Sequence, residues 1–413
     1  MADTRIFKVG AGIAQSGQNL ASSKSRDLRL QFIYLPLICL SCVVLPLGFS
    51  GQVKAEEPCI KSAELTKKAL SIGSGSDEEI SLYKEAQTLC PKMAEAHFNL
   101  GLAYQKRGDL TEAEKELRES VRLKDEEQFR LGLAGVLLQQ GEVSSSREQY
   151  QIVKERNPQS VAALQGSAVI LEKQQKLQEA LEELEKAAKI EPTNTVTFFN
   201  LGVLQEKLKR PDQALIAYQH SVQNDPKNFE AQYLLGLVQL RKGLFAESKE
   251  SLQQASQIKP GDVRVHLGLA EVYENLGDRG MAEASLRRVV ATAPSNVVAL
   301  INLGIILIED KRYQDAVRVL EKAGEVDRKN PRVWSALGRA QLELGLMKEA
   351  ERNLKLALEL DNSNPFAHNN LGVLYQRLGR AALARSEFEA ALTIHPELEV
   401  ARKNLESVGG SAG

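Results

Sequence analysis

A small residue returns along this chain at a nearly fixed interval: Gly101, Ala134, Ala168, Gly202, Gly236, Ala270, Gly304, Gly338 and Gly372 are spaced once by 33 and then seven times by 34. Twelve residues after each stands another small one: Ala113, Ser146, Ala180, Ala214, Ser248, Ala282, Ala316, Ala350 and Ala384. Four further on the residue is always large: Leu117, Tyr150, Leu184, Tyr218, Leu252, Leu286, Leu320, Leu354 and Phe388. A breaker then closes the unit at Pro158, Pro192, Pro226, Pro260, Pro294 and Pro396, with Arg328 and Asn362 in its place in two copies. Self-similarity at this period turns the chain into stacked copies of one small unit, and stacking is what buries a core that no single copy can close.

Each unit reads as a helical hairpin. Leu201, Leu204 and Leu208, or Leu371, Leu374 and Leu378, recur at three- and four-residue spacing and make one amphipathic helix; the small and large pair makes a second. Small residues in the first two columns let the helix backbones approach, and the large third column is expected to fill the space between successive hairpins. Gly108, Gly141, Gly243, Gly277, Gly345 and Gly379 stand where the first helix must end, and proline cannot continue the second.

Trp334, Leu337 and Gly338, followed by Ala350, Leu354 and Ala357, closely resemble the pattern of the tetratricopeptide repeat family, and the resemblance spans residues 94–398 in nine copies. Residues 60–93 read as a degenerate N-terminal hairpin, with helices at Ala63 to Leu70 and Asp77 to Leu89, and residues 399–413 as a capping helix and tail. The resemblance implies an all-α fold, an α-solenoid in which hairpins coil into a right-handed superhelix with a concave groove. In that family the first helix of each hairpin lines the groove, which on this chain places Phe199, Val203, Tyr233, Leu237, Leu267, Ile301 and Ile305 in an apolar strip. Lys207, Arg241, Glu274, Arg339 and Arg377 would rim it. Asn99, Asn200, Asn302 and Asn370 share the sixth helix position, where similar repeats in O-linked sugar transferases carry an asparagine ladder; an amide offers a bound backbone both donor and acceptor. Gly132, Gly166, Leu234, Gly268 and Ala336 interrupt that ladder here, and Phe98 and Leu102 stand where a chaperone-type carboxylate clamp needs lysine and asparagine.

Ahead of the repeats, residues 1–29 are polar and mildly basic, and an apolar run from Leu30 to Phe49 follows, the order of an export signal. Val53 and Ala55 suit a signal peptidase, so cleavage after Ala55 is the preferred reading, with an inner-membrane anchor at residues 30–49 as the alternative. Either way the flanking positive charges send the repeats across the membrane, and the expected location is the periplasm or the cell envelope. None of Cys39, Cys42 and Cys59 sits in a lipobox. The whole chain has a net charge of -1; residues 1–55 hold six basic and two acidic residues, so the exported part carries 47 against 52 and a net charge of -5. This argues against a nucleic-acid partner.

Export also exposes cysteines to an oxidising compartment. Cys59 and Cys90 flank the degenerate hairpin at the same end and are expected to form a disulfide. No nucleophile elbow, zinc-protease helix or phosphate loop occurs, and His97, His266 and His368, all at the fourth helix position, read as packing residues rather than metal ligands. The chain is expected to be no enzyme and to need no cofactor or metal. The function this implies is a scaffold that binds partner proteins or peptide segments in the bacterial envelope. The alternatives are a substrate-selecting accessory subunit of an export or glycosylation machine, and self-association through the ends of the stack.

Overall fold

A computed structural model describes residues 57–409; the expected signal sequence and membrane anchor lie outside them. All regular structure among the described residues is α-helical, and the helices fall into two compact units. The N-terminal unit holds α1 (Glu57–Ile72) and α2 (Asp77–Leu89), α3 (Ala94–Arg107) and α4 (Leu110–Leu123), α5 (Glu127–Gln140) and α6 (Val143–Arg156), α7 (Val161–Lys173) and α8 (Leu177–Ile190), and α9 (Thr195–Lys207) and α10 (Pro211–Asn224). The C-terminal unit holds α11 (Phe229–Arg241) and α12 (Phe245–Ile258), α13 (Val263–Asn275) and α14 (Arg279–Thr292), α15 (Val297–Glu309) and α16 (Tyr313–Val326), α17 (Pro331–Glu343) and α18 (Met347–Leu360), α19 (Pro365–Arg377) and α20 (Ala381–Ile394), and the closing helix α21 (Glu399–Gly409). Within each unit a helix packs most extensively on its hairpin partner and next on the helix that follows, so each unit is a solenoid of hairpins.

The first and third sequence columns meet inside the hairpins that carry glycine in the first. A Cβ added to Gly101, Gly304 or Gly338 would stand 2.6, 2.5 and 2.6 Å from the Cγ of Leu117, Leu320 and Leu354, and one on Gly202 or Gly372 would enter the ring of Tyr218 or Phe388. The large third column therefore sits over the first-column glycine of its own hairpin, and not solely between hairpins as the spacing suggested. In places it does both, for Leu117 also reaches Gly132 and Leu252 reaches Gly268 in the next hairpin. Where the second column carries serine, the buried hydroxyl is used. Ser146 and Ser248 each donate 2.7 Å to the first-column carbonyl twelve residues upstream, at Ala134 and Gly236.

A further column, unread in the sequence, caps the first helices. Ser160, Asn194, Asn228, Asp262, Asn296, Asn330 and Asn364 recur every 34 residues, and each side chain accepts a hydrogen bond from a backbone N–H of the first turn. The connecting loops are pinned by the fourth helix position. His97 Nε2, His266 Nε2, Trp334 Nε1 and His368 Nε2 each donate to the carbonyl six residues upstream, at Pro91, Pro260, Arg328 and Asn362, over 2.8 to 3.1 Å. Arg402 does the same to Pro396 in the closing helix. The histidines thus tie down loops, which explains why a hydrogen-bonding ring stands at a packing position.

Candidate peptide-binding face

The face to test is built on the fifth and ninth positions of each first helix, one turn apart on one side, with the sixth position next to them. Phe199, Val203 and Ile301, expected in the apolar strip, are only 4, 1 and 2% exposed. They belong to the core and are removed from the strip. The Phe199 ring lies 6.0 Å from Tyr218, and Ile301 packs among Leu300, Ala323 and Val333. Tyr233, Leu237, Leu267 and Ile305 remain half-buried, all in the C-terminal unit.

The asparagine positions divide similarly. Asn99, Asn200 and Asn302 are buried and Asn370 is half-buried. Gln165 in α7, the residue before interrupting Gly166, is buried as well and bonds Thr197 at 2.7 Å. The carboxamide oxygens of Asn200 and Asn302 have no hydrogen-bond partner although they are shielded from solvent. Two of the glycines that interrupt the column have a packing reason: a Cβ on Gly132 would meet Phe98 at 2.8 Å, and one on Gly166 would meet Tyr150 at 2.2 Å.

Aromatic and charged groups meet at one end of the stripe. Tyr233 stacks on Phe229 with ring centroids 6.3 Å apart, the Arg264 guanidinium lies 4.9 Å over the Tyr233 ring, and Lys259 Nζ lies 4.0 Å from the centre of Phe229. Arg264 also donates to Asp262 at 2.8 Å and Glu230 at 3.2 Å, and the bond to Asp262 pushes its pKa further up against the opposing effect of burial.

The expected rim is less free than a ring of solvated charges. Lys207 contacts Glu172, and Arg377 binds Glu343 at 3.0 Å and the Leu342 carbonyl at 2.8 Å. Burial lowers the pKa of Arg339, and Glu274 is half-buried with its Oε2 enclosed and unbonded. Glu271, one turn before it, went unremarked in the sequence; the signal was there, because it interrupts an apolar column formed by Leu237 and Ile305. Burial pushes the Glu271 carboxyl up to about 7, and burial with the neighbouring Glu309 and Glu271 charges does the same to Glu274.

At the start of the chain's described part, the structure joins Cys59 and Cys90, with sulfurs 2.06 Å and Cα atoms 4.9 Å apart. α1 already runs at Glu57, the first described residue, where the sequence suggested a start at Ala63, so Cys59 lies within the helix rather than before it. Cys90 caps the end of α2. Among the described residues no helix is long and apolar enough to cross a membrane, and no three His, Cys, Asp or Glu side chains are grouped to hold a metal ion.

Comparison with known proteins gives the same reading of the repeats. The chain is similar to the type IV pilus assembly protein PilF of Pseudomonas aeruginosa, at 29% identity over 107 residues, which is 25% of this chain and 42% of that protein. Among solved structures, PilF from Pseudomonas aeruginosa aligns with 49% of this chain and 92% of its own at 20% identity and a TM-score of 0.45. The MamA protein aligns with 41% and 92% at 23% identity and a TM-score of 0.39. Family profiles described as tetratricopeptide repeat match residues 94–126, 129–195, 171–238, 239–300, 277–341, 307–374 and 367–398, which together take in most of the chain. With the hairpin columns of small, small and large residues on one side and these matches on the other, the chain belongs to the tetratricopeptide repeat family.

Proposed function

We propose that this chain is a non-enzymatic scaffold of the bacterial envelope that binds segments of partner proteins along the first helices of its hairpins. Its repeats make it a protein-interaction scaffold. The observation that carries the location of binding is the row Tyr233, Leu237, Leu267 and Ile305, which stays half-exposed while equivalent side chains at Phe199, Val203 and Ile301 are buried. Covering an apolar side chain contributes roughly 1.5 to 3 kcal/mol before ordering costs, so a few such contacts suffice for a transient complex. The basic, then apolar, then small-residue order of residues 1–55 supports export, and the pilus-assembly name of the PilF relative fits an assembly role in the envelope.

The test replaces Tyr233 and Leu267 by Glu and compares the partners that co-purify from envelope extracts with those of the parent protein, with circular dichroism as folding control. Loss of partners at unchanged helicity is expected. An unchanged set of partners discards this face, and recovery of the tagged chain in the cytoplasmic fraction discards the envelope assignment.

A further inference from the structure

Within the C-terminal unit, Leu267, Glu271 and Glu274 follow one another at spacings of four and three and form one stripe of α13. The two row neighbours of Glu271 are apolar: it stands where α11 has Leu237 and α15 has Ile305, with Arg339 at the same position of α17, and the Leu237, Glu271 and Ile305 side chains are half-buried. A carboxylate in such a row, flanked by a second one turn on, is costly unless a cation meets it. Among the described residues none does, since neither Glu271 nor Glu274 has a basic nitrogen within 4.0 Å. The third carboxylate near them, Glu309 of α15, is already engaged by Arg279 at 3.4 Å.

An independent observation lies on α15, the first helix of the next hairpin. Asn302 is 4% exposed, makes no side-chain hydrogen bond, and its carboxamide oxygen is enclosed without a partner. It stands one turn from Ile305, on the stripe that ends at Glu309, whose charge acts on Glu274. The same side of the unit therefore offers an apolar lining, two unmatched carboxylates and an unmatched amide.

We infer that this face of α13 and α15 receives an apolar peptide segment bearing a lysine or arginine, whose cationic head is held by Glu271 and Glu274. The inference rests on the first-helix binding face proposed above and names the partner's chemistry. The methylene stem of the basic side chain lies along Leu267 and Ile305 while its head reaches the carboxylates, as long cationic side chains do at apolar boundaries. Charge complementarity selects this occupant over a purely apolar or an acidic one.

The experiment uses the full chain and three fluorescent, end-blocked, leucine-rich decapeptides that differ only at one central residue: lysine, norleucine or glutamate. Fluorescence anisotropy gives each affinity. The lysine peptide is expected to bind about tenfold more tightly than the norleucine peptide, with the glutamate peptide weakest. In the Glu271→Gln/Glu274→Gln protein, folded by circular dichroism, the lysine preference should vanish while norleucine binding stays the same. Equal binding of lysine and norleucine peptides by the parent protein, or a lysine preference that survives in the double variant, overturns the cationic anchor and leaves the apolar face standing. Failure of all three peptides to bind overturns the first-helix binding face and the anchor with it.

Discussion

A methyl group placed on Gly236 would stand 2.6 Å from the Cγ of Leu252, sixteen residues along the same hairpin. Real carbon atoms do not approach so closely, and the obstacle is a branched carbon rather than the free end of a flexible chain. Two effects compete in Gly236→Ala. Overpacking costs about 1 to 3 kcal/mol, while alanine in place of glycine within a helix returns about 0.8 to 1 kcal/mol. A net loss of roughly 1 kcal/mol or more is expected in urea unfolding. Gly280, in α14, supplies the contrast, since a Cβ there meets nothing nearer than 3.8 Å. Gly280→Ala should therefore stabilise the protein by about 0.5 to 1 kcal/mol. If both substitutions shift the midpoint in the same direction, the close approach of the paired helices is not what the small column provides.

Three turns between paired helices lack the glycine found in the other hairpins. Gln175, Lys209 and Lys311 occupy left-handed backbone at φ of 62, 58 and 61°, where Gly243, Gly277, Gly345 and Gly379 stand in equivalent turns at φ of 71 to 78°. Side chains with a Cβ are strained there by about 1 kcal/mol or more, and glycine relieves this at some cost in unfolded-state entropy. Lys311→Gly is expected to raise stability by about 0.5 kcal/mol, measured by urea unfolding, and the three glycine substitutions together should add nearly independently, as they lie in separate hairpins.

These turns show what was and was not legible in the sequence. The period, the hairpin, the glycine stops and the small and large columns are local demands of backbone and packing, so they are written at fixed spacing. The Asn194, Asn228, Asn296 column is just as periodic, but a cap lies outside the apolar pattern that marks the helices. Exposure of the proposed stripe was not legible. Phe199 and Tyr233 hold the same position in consecutive hairpins, yet one is buried and the other half-exposed, because burial depends on how neighbouring helices close over each ring. The charge on Glu274 was expected at a solvated rim; its enclosure depends on α13 and α15 together and no single helix records it.

The Cys59 to Cys90 bond closes a separation of 31 residues around the first hairpin. In the chain-entropy view such a loop is stabilised by roughly 3 to 4 kcal/mol. Because solenoid repeats contact mainly their neighbours, the effect should stay local. Hydrogen exchange with and without reductant is expected to show faster exchange across α1 and α2 on reduction, with α13 to α20 unchanged. Uniform protection in both conditions would show that the hairpin stands without its covalent link.

Glu271 and Glu274, both pushed up to about 7, hold a proton in the folded chain that the unfolded chain has already released near its ordinary value of about 4.3. Folded-state stabilisation by these protons is complete below the unfolded value and fades as pH rises towards 7, above which two poorly solvated charges face each other in α13. Glutamine keeps the shape and never ionises. Glu274→Gln is therefore expected to match the parent protein in unfolding free energy, measured by urea unfolding, at pH 4 and to exceed it at pH 8, by on the order of 2 kcal/mol after allowance for residual exposure. A saturating lysine-bearing peptide should narrow that difference at pH 8, because it supplies the parent protein with the positive charge that the carboxylates lack and offers the variant less. A variant that gains equally at both pH values would mean that the substitution acts through packing and that the carboxyl is not desolvated at all.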